Sequence, residues 1–150
     1  MGITEYEVRQ YLQSIKFLTG KRDKKLEQIE ELRSVATNCV AKLDKDPVQT
    51  SGSGDKMPNI VGRMVDLQKE ADELDKIIHE RTALVIRMSD NLEDKRCQKY
   101  LFTRYIDLNS FYDTVMIMEL SDSTARRIEK KAISELTKLL NAQKHENHKI

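Results

Sequence analysis

Apolar residues recur along most of this chain at the three- and four-residue intervals of a helical face. From Thr4 to Leu43, Val8, Ile15, Ile29, Ala36 and Leu43 share one heptad position, and Tyr11, Leu18, Leu32 and Cys39 share its companion. The stripe has a hole at Gly20 to Lys25, where GKRDKK places Arg22 and Lys25 on the seam. Either the helix breaks there or its first part packs elsewhere. The pattern favours a short connector, with a new helix starting near Asp23 as N-cap.

Asp44 to Pro58, DKDPVQTSGSGDKMP, holds both prolines and no apolar period, which predicts a flexible loop. The heptad returns from Asn59 to Leu92, with Ile60, Leu67, Leu74 and Met88 in one position. Met64, Ala71, Ile78, Val85 and Leu92 occupy the other, and Arg81 is the charged intruder. One narrow stripe on each of two helices predicts an antiparallel helical hairpin, residues near Leu26 to Leu43 lying on Ile60 to Leu92. Ser89, Asp90 and Asn91 end that helix or cap the next.

A third helix is expected from Glu93 to Ile106, with Cys97, Leu101 and Tyr105 inward and Tyr100 and Phe102 beside them. Asp107 to Asn109 connects, and Ser110 caps a fourth helix. After a tight turn Ser121 caps a fifth, whose Ala125, Ile128, Ala132, Leu136 and Leu139 form the core stripe. Ser134 falls outside that stripe, as do Arg126, Arg127 and Lys130. The fold class expected is therefore all-α: a coiled-coil hairpin over residues 1–92, a helix-turn-helix bundle over 93–140, and a polar, frayed tail over 141–150.

A helix that opens on short hydrogen-bonding side chains and continues into cations has the layout of a DNA recognition helix. Its first turn can approach base edges in a major groove, and cations further on can reach phosphates. Asp122, Ser123, Thr124 and Arg126 are the candidate base readers, and Arg127, Lys130 and Lys131 the candidate phosphate clamps. An ordinary solvated face would look similar, since Lys and Arg are good helix formers. Between Ser121 and Lys138 five cations stand against three acids, a modest local excess in a chain of net charge +1.

Composition adds mainly exclusions. A charged fraction of 34% with only 5% aromatics and no Trp suits long exposed helices better than an enzyme with a deep pocket. Cys39 and Cys97 have no metal-ligand spacing around them, and the tail histidines His145 and His148 lack a third ligand. No nucleophile-base arrangement or phosphate-cradling Gly loop is present, so neither an enzyme nor a cofactor is expected. Without a long apolar run or a signal-peptide core, the reading is a cytoplasmic protein with no membrane partner.

Arg104 to Leu136, RYIDLNSFYDTVMIMELSDSTARRIEKKAISEL, resembles the C-terminal helix-turn-helix shared by sigma factor region 4 and phage late-transcription regulators of the RinA and ArpU type. Arg104-Tyr105, Ser110-Phe111, Ser121, Arg127-Ile128 and Ala132-Ile133 carry the likeness. Upstream, the DKKLEQIEELRSVAT segment, the Gly/Ser loop and the VDLQKEADEL helix are similar to proteins of phages and prophages of Gram-positive bacteria. Glu119 departs from the family, standing where its tight turn has Gly. The resemblance implies a DNA-binding regulator, an activator of late genes, whose partners are double-stranded promoter DNA and RNA polymerase or a repressor protein. The hairpin would supply homodimerisation or a partner surface. The rival reading is a non-enzymatic adaptor or antirepressor acting through the hairpin.

Overall fold

The computed structural model describes the backbone of residues 2–45 and 56–148, and the side chains of residues 2–41 and 57–144. These residues are all-helical: α1 (Glu5–Lys45), α2 (Lys56–Ser89), α3 (Lys95–Leu101), a π-helical turn (Phe102–Ile106), α4 (Phe111–Met118) and α5 (Asp122–His148). None of the helices is long and apolar enough to cross a membrane. Sequence patterning placed a boundary after Leu92, whereas the chain divides after Phe17 and again after Ile77. One unit comprises residues 18–77; the other joins residues 1–17 to 78–150.

In the 18–77 unit the expected connector at Gly20 to Lys25 does not exist, because α1 runs through it unbroken. A helix-interior Gly costs only about 1 kcal/mol relative to Ala, too little to end a long helix. The gap in the apolar stripe is closed by charge. Arg22 donates to the Asp75 carboxylate at 2.5 Å and Lys25 to Glu70 at 2.8 Å, both across to α2. The deeply buried apolar residues described here are Ile29, Leu67 and Ala71, while Leu26 is exposed and Leu74 half-buried. The expected loop at 44–58 is also trimmed: Asp44 and Lys45 remain in α1, and Pro58 sits in the first turn of α2, where no backbone N–H bond is lost. Residues 46–55 lie outside the described residues.

The other unit holds the main core. Val8, Leu12 and Ile15 from α1 pack with Val85, Met88 and Leu92, with Cys97, Tyr100, Leu101 and Tyr105, and with Ala125, Ile128, Ala132, Ile133 and Leu136 of α5. The seam intruder Arg81 lies 5.2 Å over the Tyr11 ring and donates to Ser14 Oγ, so its charge is met by a π face and a hydroxyl. The N-terminus is pinned as well. Ile3 donates its N–H to Asn141 Oδ1 at 2.7 Å, and Asn141 Nδ2 donates back to the Ile3 carbonyl at 2.9 Å. The region expected to be a frayed tail therefore begins as a docked part of α5, which continues to His148.

The third helix starts later than expected and ends differently. Asp94 is its N-cap, accepting the Arg96 N–H at 2.9 Å, while Asp90, Asn91 and Leu92 make the bonds that close α2. After Leu101 the backbone opens by one residue into the π turn, closed by Asp107 N–H to the Phe102 carbonyl. Phe102 is turned out to solvent.

Candidate nucleic-acid interface

The candidate interface comprises α4, the turn after it, and the first turns of α5. Ser110 starts α4 by accepting the Asp113 N–H at 3.1 Å, as its position before an apolar run predicts. The end of α4 has both bonds of a Schellman motif, Leu120 N–H to the Val115 carbonyl and Glu119 N–H to the Met116 carbonyl. Such an ending needs one left-handed residue, and Glu119 takes that role at φ 56, ψ 48. The turn keeps the geometry for which glycine is best suited, without the glycine. Glu119→Gly is expected to stabilise the protein by about 0.5–1 kcal/mol in urea denaturation, since a left-handed L-residue costs about 1–2 kcal/mol and the added chain freedom offsets part of it. Leu108, at φ 60, should behave oppositely, because its side chain packs against the core.

Ser121 then starts α5, its carbonyl accepting the Ala125 N–H and its Oγ accepting the Thr124 N–H at 3.3 Å. Two small residues of these helices, Ala125 of α5 and Thr114 of α4, are both fully buried. Thr114 donates its hydroxyl to the Ser110 carbonyl, so it can be buried without an orphaned polar atom.

The seven predicted site residues all lie in the first three turns of α5 but not in one state. Asp122, Ser123, Arg126, Arg127, Lys130 and Lys131 are exposed; Thr124 is half-buried. Thr124 Oγ1 accepts the Ser121 hydroxyl at 2.8 Å, so it serves the cap rather than standing free as a base reader. Arg126 is folded back over the Phe111 ring at 4.7 Å. Lys131 is ion-paired to Asp94 at 3.1 Å, which lowers the Asp94 carboxyl pKa and raises that of Lys131. Among the described residues Arg127 and Lys130 make no ion pair, leaving them the most available cations of the set.

The acid that diluted this helix in sequence is turned away from that surface. Glu129 accepts Tyr100 Oη at 2.5 Å and Tyr105 Oη at 3.0 Å, and pairs with Arg9 Nη1 at 2.7 Å. Positions five apart fall on nearly opposite faces of an α-helix, so 100 and 105 would not converge without the intervening π turn. Burial, then the nearby carboxylate, pushes both phenol pKa values above the usual range. Sequence reasoning missed this hub because Arg9 lies 120 positions away.

The buried side of α5 is wider than its expected stripe. Ile133 and Thr137, off the expected stripe, are buried, and Ser134, also off it, is half-buried. The exposed cations are densest over the first three turns of α5 and continue to Lys138. Beside them, α4 exposes Tyr112 and Met116 at 68% and 76% relative area, with Ile117 half-exposed. No group of three or more metal-ligating side chains occurs among the described residues. Comparison with family models, curated proteins and solved structures finds no match to this chain.

Proposed function

We propose that this protein is a non-enzymatic DNA-binding transcription regulator, in which α4, the turn at Glu119 and α5 act as a helix-turn-helix and α5 enters the major groove. The observation that carries the reading is the sorting of charge on α5. Arg126, Arg127, Lys130 and Lys131 all reach solvent, whereas Glu129 is held inside by Arg9 and two tyrosines. That leaves four exposed cations on a single helix, which is the element a major groove admits, next to a short polar first turn. The likeness of Arg104 to Leu136 to phage late-gene regulators points the same way, with promoter DNA, and RNA polymerase or a repressor, as partners. In this reading α1 and α2 form an antiparallel hairpin, supported in the 18–77 unit by the Arg22–Asp75 and Lys25–Glu70 pairs, which would serve dimerisation or partner binding.

Retention of fragments of the protein's own genome, selected at low and moderate salt, tests this directly. Lys130→Ala is expected to weaken binding about equally on all sequences and to reduce the log–log salt slope by roughly 1. Ser123 and Arg126 substitutions should instead shift base preference, by ~1–3 kcal/mol if a bidentate contact is lost. No retained fragment at either salt would end the DNA reading. The exposed Tyr112, Met116 and Ile117 on α4 favour a second reading, a protein-capturing adaptor, and DNA-independent partner capture surviving these substitutions would support it.

A further inference from the structure

A groove of about 400 Å³ lies between the start of α3 and the first turns of α5, lined by Asp94, Arg96, Thr124, Arg127, Ile128 and Lys131. Three of its six lining residues are cations and only one is an acid. Asp94 holds Lys131 at 3.1 Å and stands 3.9 Å from Arg96 Nε, so one carboxylate sits between two of the three positive groups. Its other engagement is structural, as the N-cap of α3. Asp94 is the least exposed of the ion-paired groups in this groove, whereas Arg96 and Lys131 are more than half exposed. The cations can therefore swing to an incoming anion while the acid stays.

We infer that this groove is a seat for one DNA backbone phosphate, gripped by Arg96, Arg127 and Lys131, with Asp94 as a built-in competitor that Lys131 must leave. The inference rests on the DNA-binding reading and adds to it a contact outside α5. The chemistry fits a phosphodiester better than another partner: a guanidinium matches phosphate oxygens in a planar fork, and a Lys acts beside it as a point charge. A phosphate in this position must draw Lys131 away from Asp94, so the resident pair lowers affinity for any duplex, irrespective of sequence.

The test uses the full chain and a short mixed-sequence DNA duplex, with affinity followed across a salt series. Asp94→Asn keeps an N-cap acceptor for Arg96 N–H but drops the charge, so helix start and melting should be retained. It is expected to tighten binding several-fold, on the order of 3- to 10-fold, and to leave the preference among sequences unchanged. Arg96→Ala should weaken binding and lower the salt slope by roughly 1. A double-mutant cycle separates competition from a general charge effect. In a Lys131→Ala background the gain from Asp94→Asn should shrink markedly; a gain of undiminished size would overturn the competitor role. If the wild-type chain binds the duplex while Asp94→Asn and Arg96→Ala leave affinity and slope unchanged, the phosphate seat is wrong and the DNA reading survives. If the wild-type chain fails to bind at low salt, both fall. Tighter retention of polyglutamate than of the duplex, at matched charge, would overturn the inference in favour of an acidic protein partner.

Discussion

Replacing Glu129 by Leu is expected to cost about 3–5 kcal/mol of stability, the largest single loss available on α5 outside its apolar stripe. The carboxylate accepts hydrogen bonds from Tyr100, which is fully buried, and Tyr105, which is 4% exposed, and it balances Arg9. Removing it strands two phenol groups, each costing about 1–3 kcal/mol when buried without a partner. The Arg9 charge loses its partner as well. Glu129→Gln should fall between, since the amide oxygen can still accept while the charge balance is lost. Lys130→Ala, one position on but exposed, should stay within about 0.5 kcal/mol. Urea denaturation of the three variants decides the matter, with near-ultraviolet circular dichroism reporting the tyrosines. A loss below about 1 kcal/mol for Glu129→Leu would mean that solvent replaces the carboxylate without penalty, and that the hub does not hold α5.

Alkaline pH should unfold this protein from inside. Burial raises the Tyr100 and Tyr105 phenols, and it pushes the Cys97 thiol up to about 11, helped by the Asp94 and Glu135 carboxylates. In each case the folded pKa lies above the unfolded one, so the folded state keeps its proton longer. Their contribution is intact below the unfolded values, near 8.5 for a thiol and 10 for a phenol, and is lost as pH rises beyond them. Stability should hold to about pH 8.5, then fall, approaching ~1.4 kcal/mol per pH unit for each group whose unfolded form has ionised. With both phenols engaged above pH ~10, roughly 3 kcal/mol should vanish over the next unit. Tyr105→Phe has no proton to lose and should flatten the decline by one group's share, whatever it costs at neutral pH. Denaturation midpoints that stay level to pH ~11 would contradict the burial of all three groups.

The sequence by itself determined what depends on neighbours a few positions apart. Helical periods are local, so the all-α class could be read from apolar spacing, and so could the two capping serines, whose hydroxyls act within three residues. Ala125, Ile128, Ala132 and Leu136 were legible for the same reason, and all four are buried. The candidate cations were found because surface charge on a helix follows from position alone.

Tertiary structure decided whatever depends on partners far along the chain. A charged gap at Arg22 and Lys25 reads as a break until Asp75 and Glu70 are brought opposite it. Ile133 and Thr137 look like flank positions until the fold buries them, on the helix between Glu129 and Asn141, which bond to Arg9 and Ile3. Glu129 counts as a surface acid until the π turn swings Tyr105 beside Tyr100, a one-residue insertion that no propensity foretells. Which site residues stand free was likewise beyond a one-dimensional reading. Lys130 and Lys131 are adjacent and chemically identical, yet only Lys131 meets an acid, because α3 sets Asp94 within 3.1 Å of it. Long-range contacts of this kind cost chain entropy that only the assembled core repays, so no local pattern announces them.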